Sequence, residues 1–323
     1  MAKIIGRQVN VGIGKETVRG TAVTPGFWLK QLSVDFDDKV DYVTNEQSNG
    51  VIEDSDGADV IKKWAEGKIE GNISDQSIGL ILLATLGSVN SAVKETTAYN
   101  HTFSVNQSAQ HQSLTVDIKN GANEHLAFPN CMVSDLELQY SQKEYAKFIA
   151  EFKGKKGAAS VTSPAYIAEN IFIGKHAVFK IANDLTGLTA ASPIVLRSMN
   201  LKISKGVEAD DVLGALDPSD FYNGQISVSG SVELTYDDAT YKALSLAGTK
   251  KAMRIDLQNT DVTIGASSNP GLQIDLANAK FVEYSLKRDL KGIVTQSLNF
   301  KAYFSSADSK MITALLTNTK TSY

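Results

Sequence analysis

Residues 67–87 constrain the fold more than any other stretch of the chain, because the hydrophobic period changes within them. Up to residue 73, apolar and polar residues alternate, with Ile69 and Ile73 on the same side. A period of two predicts a strand with one buried face. Beyond residue 73 the spacing becomes that of a helix. The stretch therefore predicts a strand that runs almost directly into a helix.

The helical part of this unit carries its own start and stop signals. Ser74 or Asp75 is a candidate N-cap, whose side chain would accept a hydrogen bond from an unpaired backbone N–H. Leu82 and Leu86 follow at a spacing of four, which places them on one face of the helix. Gly87 predicts the helix end, because glycine adopts the left-handed C-terminal conformation without a Cβ clash.

A second unit of the same kind occupies residues 226–248. Val228 and Val232 lie on one side of an alternating stretch, which predicts another half-buried strand. Leu244 follows on a helical face, and Gly248 is the predicted stop. Two strand-to-helix units in one chain indicate an internal duplication, and repeats have to be sought before other features are interpreted.

Further segments recur in the same order, with only loop lengths changing between them. The matched segments are 29–34 with 196–201, 69–73 with 228–232, 114–120 with 253–259, Asn130 with Asn278, and Phe152 with Phe300. The colinear order predicts two tandem copies of one domain.

The predicted fold is mainly β. We expect two tandem, duplicated β-sandwich or partial-barrel domains, each with one flanking α-helix, because a half-apolar sheet has to bury one face. The first domain is predicted at 1–157, with an N-terminal arm over about 1–28 that has little core of its own. A linker at 158–175 leads to the second domain at 176–323.

Length and charge limit the possible functions. The chain has 323 residues, enough for about two domains. Its net charge is −4, which argues against binding nucleic acid through a basic patch. The longest apolar run, around residues 78–86, is far shorter than the ~20 residues that a membrane span needs. We also expect no signal peptide, and hence assembly in a cytoplasm without membrane contact.

No motif predicts catalysis, a cofactor or a metal site. Residues 12–17 resemble a phosphate-binding loop only superficially, since Val9 and Glu16 stand where glycine and Ser/Thr belong. The four histidines show no metal-ligand spacing with one another or with Cys131, and are predicted to be partly exposed sheet residues. Cys131 is expected to be a buried free thiol. The chain is therefore not expected to be an enzyme.

One segment has an unusual charge. Residues 35–59 contain nine acidic residues and one lysine, a net charge of −8 that leaves +4 for the rest of the chain. Most of the segment, from residue 37 to about 57, is predicted to be a long polar loop. Such loops are functional or disordered. It is either a solvated loop or an arm that contacts a basic surface on a neighbour. The candidate contact residues are Asp41, Glu46, Glu53, Asp54 and Asp56.

The chain resembles the tail tube, or major tail, proteins of long-tailed bacteriophages. The resemblance rests on residues 11–22 followed by Phe27-Trp28, on the unit at 67–87, and on the duplicated β-core. It implies sandwich domains around a channel, with the sheets of neighbouring subunits joined into an inner β-barrel. It also implies contacts of an arm and a long loop with the next ring. The chain departs from a regular repeat, since its two long loops differ in length and charge.

The same resemblance implies the function and the partners. The protein would be a structural subunit of the virion tail that forms stacked rings and lets DNA pass without specific binding. Its partners would be further copies of itself, the tape measure protein and tail-end proteins. A duplicated member would form a pseudo-sixfold ring from three chains. The alternative is a two-domain β-sandwich adhesin or carbohydrate-binding module. That class should expose aromatic residues on loops, whereas Trp28 and Trp64 lie beside predicted strands.

Overall fold

The computed structural model describes residues 3–323, and in this range the chain forms nineteen strands and two α-helices. The elements of the first half are β1 (Val9–Lys15), β2 (Phe27–Leu29), β3 (Gln31–Thr44), β4 (Ala58–Asn72), α1 (Ile78–Leu86), β5 (Gly87–Glu95), β6 (Ala98–Val105), β7 (Leu114–Asn120), β8 (Glu124–Ser141), β9 (Lys147–Gly154) and β10 (Ala158–Ala159).

The second half adds nine strands and the other helix. They are β11 (Ala177–Ala182), β12 (Ser198–Ser204), β13 (Val207–Asp210), β14 (Asp220–Asn223), β15 (Ser227–Thr235), α2 (Thr240–Ala247), β16 (Lys251–Gln258), β17 (Gly271–Lys287), β18 (Thr295–Ala302) and β19 (Ile312–Asn318). The chain is thus mainly β with antiparallel sheets, as the sequence predicts.

The same order of strand pairing occurs twice. In the first half, antiparallel neighbours run β1–β7–β8–β9–β4–β3. In the second half they run β11–β16–β17–β18–β15–β12. Each helix lies in the chain between equivalent strands, directly after β4 or β15. The first half also contains the β5–β6 hairpin, which has no counterpart between α2 and β16.

Strands β8 and β17 each belong to both layers of a sandwich. The first part of β8 pairs with β7 and its last part with β9, and the register shifts after Val133. In β17 the matching shift follows Phe281. A bulge bends a strand and increases its twist. The two bent strands therefore carry the chain from an outer sheet into an inner one.

Two glycines show which residues are equivalent. Gly67 lies opposite Phe152, and Gly230 lies opposite Phe300. A Cβ atom at Gly67 would lie 1.7 Å from the carbonyl oxygen of Asp35. One at Gly230 would lie 2.3 Å from that of Asn200. Both positions therefore require glycine, where β4 and β15 run close to a neighbouring strand.

This pairing corrects part of the sequence alignment. When Gly67 is matched with Gly230, Ile69 in the first half corresponds to Val232 in the second half. The predicted match of Ile69 with Val228 is therefore wrong. The register shifts where β7 pairs with β8 and where β16 pairs with β17 likewise make Val116 correspond to Met253. The sequence alignment had matched Leu114 with Met253. The match of Phe152 with Phe300 agrees with the pairing. Short apolar alternations look alike at several registers, and only the bulges identify the right one.

A single inner sheet runs through both halves. β8 pairs antiparallel with β12, with Leu138 opposite Leu201. The resulting order is β3–β4–β9–β8–β12–β15–β18–β17, and we call these eight strands the inner sheet. A second junction lies in the outer layer, where β19 pairs with β6. The predicted boundary between the halves is therefore crossed by two strand pairings.

Helix α1 is buried on every side. All nine of its residues are buried, so the prediction of a single apolar face was too narrow. Gly87 ends the helix with φ of 91°, as predicted. The predicted N-caps are wrong, because Ser77 occupies that position and its backbone N–H donates to Glu169 Oε1 at 2.6 Å. Asp75 instead accepts from Asn170, and burial raises its pKa.

Helix α2 lies outside the core. None of its residues is fully buried, and Leu244 is only partly buried against the core. Tyr241 contacts Phe281 edge-on at 6.3 Å between ring centroids. The other predicted core residues, which are Ile69, Ile73, Leu82, Leu86, Val228 and Val232, are buried as expected.

Three further predictions change. The N-terminal arm contributes a strand to the core, because β1 pairs with β7 and Val11 and Ile13 are fully buried. The acidic loop is shorter than predicted, because residues 37–44 belong to β3, while residues 45–57 form the connection to β4. Residues 158–175, predicted as a linker, are packed rather than free, with β10 paired to β8 and Phe172 fully buried. Met1 and Ala2, at the start of the predicted arm, lie outside the described residues.

Candidate assembly surfaces

The inner sheet presents one polar face and one buried face. Along β8, Leu136 and Leu138 are buried in the sandwich, while Asp135 and Glu137 point to the other side and are partly exposed. The alternation follows from the two-residue period of a strand. Because the inner sheet is continuous, this polar face extends across both halves of the chain.

Charges on the polar face are paired across strands. Lys202 Nζ lies 2.8 Å from Asp135 Oδ2, across the junction of β8 with β12. Lys68 lies 3.6 Å from Glu151, and Lys153 lies 3.7 Å from Glu66. These partly exposed pairs are individually worth only ~0–1 kcal/mol. Their main consequence is local charge balance between neighbouring strands of this surface.

Two strands of the inner sheet have an edge without a strand partner among residues 3–323. β3 pairs only with β4, so one side of residues 33–39 is free of backbone pairing. The last part of β17, residues 283–287, pairs only with β18. Unpaired strand edges readily accept another strand. The two edges lie at opposite ends of the inner sheet.

The β3–β4 hairpin extends beyond the sheet. Its base is fixed to the second half, since the backbone N–H of Lys63 donates to the carbonyl oxygen of Leu216 at 2.8 Å. Lys62 Nζ also lies 2.6 Å from Asp211 Oδ2. Trp64 packs against a small cluster that contains Met132 and Phe221. We call residues 40–62 the stacking hairpin, after the contact between rings that is proposed for it below; it overlaps the acidic segment 35–59 that the sequence singled out.

The predicted contact residues lie on this hairpin. Asp41 is in β3, and the other four are in the connection; these four are Glu46, Glu53, Asp54 and Asp56. All five are exposed, so they are available to a neighbour. The structure adds apolar residues that the sequence analysis missed. Exposed on the same hairpin are Tyr42, Val43, Val51 and Ile52. The sequence analysis considered only the charge of this acid-rich segment. Hydrophobic residues within a predicted polar loop could have indicated a contact surface.

The N-terminal segment is fastened to the second half by Arg19. Its Nε atom lies 2.7 Å from Asp220 Oδ1, and its Nη1 donates to the carbonyl oxygen of His111 at 2.8 Å. Nearby, Glu16 is buried and accepts hydrogen bonds from Ser113 Oγ at 2.6 Å and Asn130 N at 2.7 Å. The segment is therefore held in place by polar contacts inside one chain.

Lys205 is buried at the C-terminal end of α1. Its Nζ donates to the carbonyl oxygen of Ala84 at 2.7 Å, where the helix leaves backbone acceptors unpaired. Burial, and secondarily the charge of Arg19, lower the pKa of Lys205 to about 7. The second half thus contributes a donor that the buried helix of the first half needs.

One polar cluster superficially resembles a catalytic triad. Asp117 is buried and contacts His125 Nε2 at 2.5 Å, and it also accepts from Thr162 Oγ1 at 2.9 Å. His125 Nε2 also lies 3.3 Å from Thr162 Oγ1, but the same ring nitrogen contacts Asp117, so the imidazole does not link the acid to the hydroxyl through its two nitrogens as in a triad. The cluster fastens residues 160–162 to the outer sheet, which is a structural role.

The histidines differ from expectation. His101, His111 and His176 are buried, so the prediction of partly exposed residues is wrong for these three. Burial lowers the pKa of His101 and of His111. Cys131 is buried as predicted. Within residues 3–323, no cluster of acidic, histidine and cysteine side chains has the arrangement of a metal site.

Comparison with known proteins identifies the family. Residues 6–302 match the family described as phage tail tube protein. The chain belongs to this family. Among curated proteins, none gives a significant match. Membership in the phage tail tube family makes the chain a structural subunit that self-assembles into a tube as a component of the virion tail. It also argues against an enzymatic role.

Among the described residues, the unpaired edges of β3 and β17 and the projecting hairpin are the candidate surfaces for self-assembly. In the described part of the chain, neither helix is long and apolar enough to cross a membrane.

Proposed function

We propose that three copies of this chain form a ring with true threefold and approximate sixfold symmetry, and that stacked rings form the conduit for DNA. The observation that carries the proposal is the pairing order, which occurs twice and is joined within the chain by β8 and β12. Each half would then act as one of six pseudo-equivalent units, as expected of a duplicated domain in a closed ring. The proposed units correspond to residues 1–157 and 176–323.

Closure of the ring removes the unpaired edges. The inner sheet begins at β3 and ends at β17, and both outer edges lack a partner among the described residues. If each chain pairs with the next, the inner sheets join into one intermolecular β-barrel. Full closure is the arrangement that eliminates edges in antiparallel sheets.

The polar face of the inner sheet suits the wall of the channel. Lys202, Lys68 and Lys153 each lie within 4 Å of a carboxylate, so few positive charges are free to bind phosphate. Every lysine that neutralises a phosphate adds salt-dependent affinity through counterion release. A balanced wall therefore favours passage of DNA without specific binding.

The stacking hairpin is proposed to join one ring to the next. It combines exposed carboxylates, including Asp41 and Glu53, with exposed apolar residues such as Tyr42 and Ile52. The carboxylates would meet basic groups of the adjacent ring, and the apolar side chains would be covered. The second half has only the short β13–β14 hairpin at the corresponding place, so stacking contacts would alternate around the ring.

The remaining partners follow from the resemblance stated above. The tube would be assembled in the host cytoplasm, and its further partners would be the tape measure protein and tail-end proteins. The two tryptophans do not support the adhesin or carbohydrate-binding alternative, since Trp28 is buried and Trp64 is partly buried.

Electron microscopy of the purified protein tests the proposal. We expect hollow rods or rings, whose averaged images show three repeating units and weaker sixfold features. Native mass measurement of single rings should give three chains. Rings of six chains, with the second half outside the barrel, would contradict the proposed symmetry. Monomers at all concentrations would contradict the proposed assembly.

A further inference from the structure

The internal junction between β8 and β12 provides a template for the contact between chains. Its central residues pair in one antiparallel register, with Asp135 opposite Ser204, Glu137 opposite Lys202, and Gln139 opposite Asn200. Each of these two strands has a counterpart in the other half of the chain, and each counterpart has an edge without a strand partner among residues 3–323. β17 is the counterpart of β8, and β3 is the counterpart of β12.

The counterparts can be matched residue by residue. The bulge after Val133 corresponds to the bulge after Phe281, so residues 135–139 match residues 283–287. Phe36 and Leu201 lie opposite the equivalent glycines, Gly67 and Gly230, so residues 35–39 match residues 200–204. No register shift interrupts either stretch.

We propose that residues 283–287 of one chain pair antiparallel with residues 35–39 of the next chain, with Ser285 directly opposite Asp37. The inference rests on the proposed ring and specifies which strand meets which, and in what register. The occupant of the free edge of β3 is thus a second copy of this chain.

The side chains agree with this register. It places Glu283 opposite Lys39 and Lys287 opposite Asp35. At each end of the junction, an acidic side chain therefore faces a basic one. Directly opposed charges of unlike sign stabilise antiparallel pairs, and like charges destabilise them. Leu286 lies opposite Phe36 on the sandwich side, where Leu138 meets Leu201 at the internal junction.

A cleft beside β3 supports the same partner. It has a volume of about 420 Å³ and is lined by Gly6, Val9, Val34 and neighbouring residues. The corresponding space beside β12, lined by Gly174 and Ala177, is only about 60 Å³. Tyr140, Ser141 and Gln142, at the end of β8, line this smaller space.

The residues that would fill the cleft are exposed in the single chain. The counterparts of Tyr140 and Gln142 are Arg288 and Leu290. Leu290 is fully exposed, and Ile293 nearby is 69% exposed. In the proposed register these apolar side chains reach the cleft of the next chain and are covered there. The cleft is therefore the unfilled counterpart of a site that is already filled once within the chain.

Disulfide trapping tests the register. Residues directly opposite in an antiparallel pair have Cα atoms about 4.5–5.5 Å apart, which lies within the range for a disulfide. The variant Ser285→Cys with Asp37→Cys should, after oxidation of assembled protein, give covalent dimers and trimers on a denaturing gel. The matched control is Ser285→Cys with Asp35→Cys, which changes the same face two residues away. Cys131 is buried and can remain in both variants.

The outcomes separate the two proposals. Rings by electron microscopy with cross-linking only of Ser285→Cys with Asp37→Cys support the register. Rings in which the control cross-links better, or in which neither pair does, overturn the register and leave the proposed function standing. Absence of rings from the wild-type protein overturns the proposed function, and the register with it.

A charge exchange provides a second measurement. Asp35→Lys should place two lysines opposite each other and raise the protein concentration needed for assembly by roughly two- to fivefold. Adding Lys287→Glu should restore the wild-type value, because the pair is then reversed in sign. Equal assembly of the single and double variants would overturn the proposed pairing. Circular dichroism of the unassembled chains confirms that each variant is folded.

Discussion

Leu138 and Leu201 lie directly opposite each other where β8 meets β12, and neither side chain is exposed to solvent. They belong to different halves of the chain. The contact therefore contributes both to the core of each sandwich and to the continuity of the inner sheet. A truncation here should affect the stability of the two halves together.

Leu138→Ala should lower the free energy of unfolding by about 2–5 kcal/mol, because it leaves a cavity at the junction. Chemical denaturation followed by circular dichroism measures this value. The control is Lys202→Ala, which removes the neighbouring salt bridge to Asp135 on the polar face and should cost ~0–1 kcal/mol. Equal losses for the two variants would mean that the junction is not packed as described.

The two helices allow a matched comparison. Leu86→Ala in α1 should cost about 2–5 kcal/mol, since Leu86 is fully buried. Leu246→Ala in α2 makes the same change at a side chain that is 79% exposed and should stay within about 0.5 kcal/mol. Leu82→Asp should prevent folding, because it buries an unpaired charge. Soluble Leu82→Asp protein that assembles normally would contradict the packing of α1.

The stacking hairpin can be shortened without loss of core. Deletion of residues 45–56 removes exposed side chains almost entirely, so each sandwich should fold. The deletion variant should form single rings but no long tubes, as measured by electron microscopy with circular dichroism as the check on folding. Tubes of normal length would show that the connection is not part of the contact between rings.

Two substitutions separate the charged from the apolar part of that contact. Glu53→Gln with Asp54→Asn should make stacking less sensitive to salt, because screening shortens to ~3 Å at 1 M and weakens ion pairs first. Ile52→Ser should weaken stacking equally at low and high salt. Identical salt dependence of the charge variant and the wild type would argue against an electrostatic contribution.

Lys205 should make stability depend on pH. Its pKa falls from 10.5 in the unfolded chain to about 7 in the folded protein. Below pH 7 both states hold the proton, and the full cost of the buried charge remains. Between pH 7 and 10.5 the folded state releases the proton first, so stability should rise with pH by up to about 1.4 kcal/mol per unit.

Lys205→Met removes this titration. The difference in unfolding free energy between wild type and variant, measured from pH 7 to 10 by denaturant titration, should therefore change along the pH series. The variant also leaves the Ala84 carbonyl without its donor, which costs about 1–3 kcal/mol at any pH. A constant difference across the series would show that Lys205 does not titrate in this range.

Local patterns in the sequence predicted several elements correctly. The change of period within residues 67–87 predicted β4 followed by α1, and the position of Gly87 predicted the helix end. These features depend on neighbours within a few residues, so they can be read from the sequence. The buried state of Cys131 and of Ile69 followed from residue type and alternation.

Elements that depend on distant partners were missed. β1 is short and glycine-rich, and it becomes a core strand only by pairing with β7, about a hundred residues away. The outer parts of β3 and β4 are exposed, so they lack the apolar alternation that marks a strand. These parts form strands because β3 and β4 are joined by backbone hydrogen bonds along nearly their whole length, which does not require an apolar face.

The sequence by itself determined the class of fold, the two strand-to-helix units and the unusual charge of residues 35–59. Only the tertiary structure decided the register of the repeat, the joining of β8 to β12, and the free edges at β3 and β17. The physical reason is that strand pairing satisfies backbone groups, which every residue possesses. Side-chain patterns restrict which partners fit, but bulges and close approaches, such as those at Gly67 and Gly230, select the one that forms.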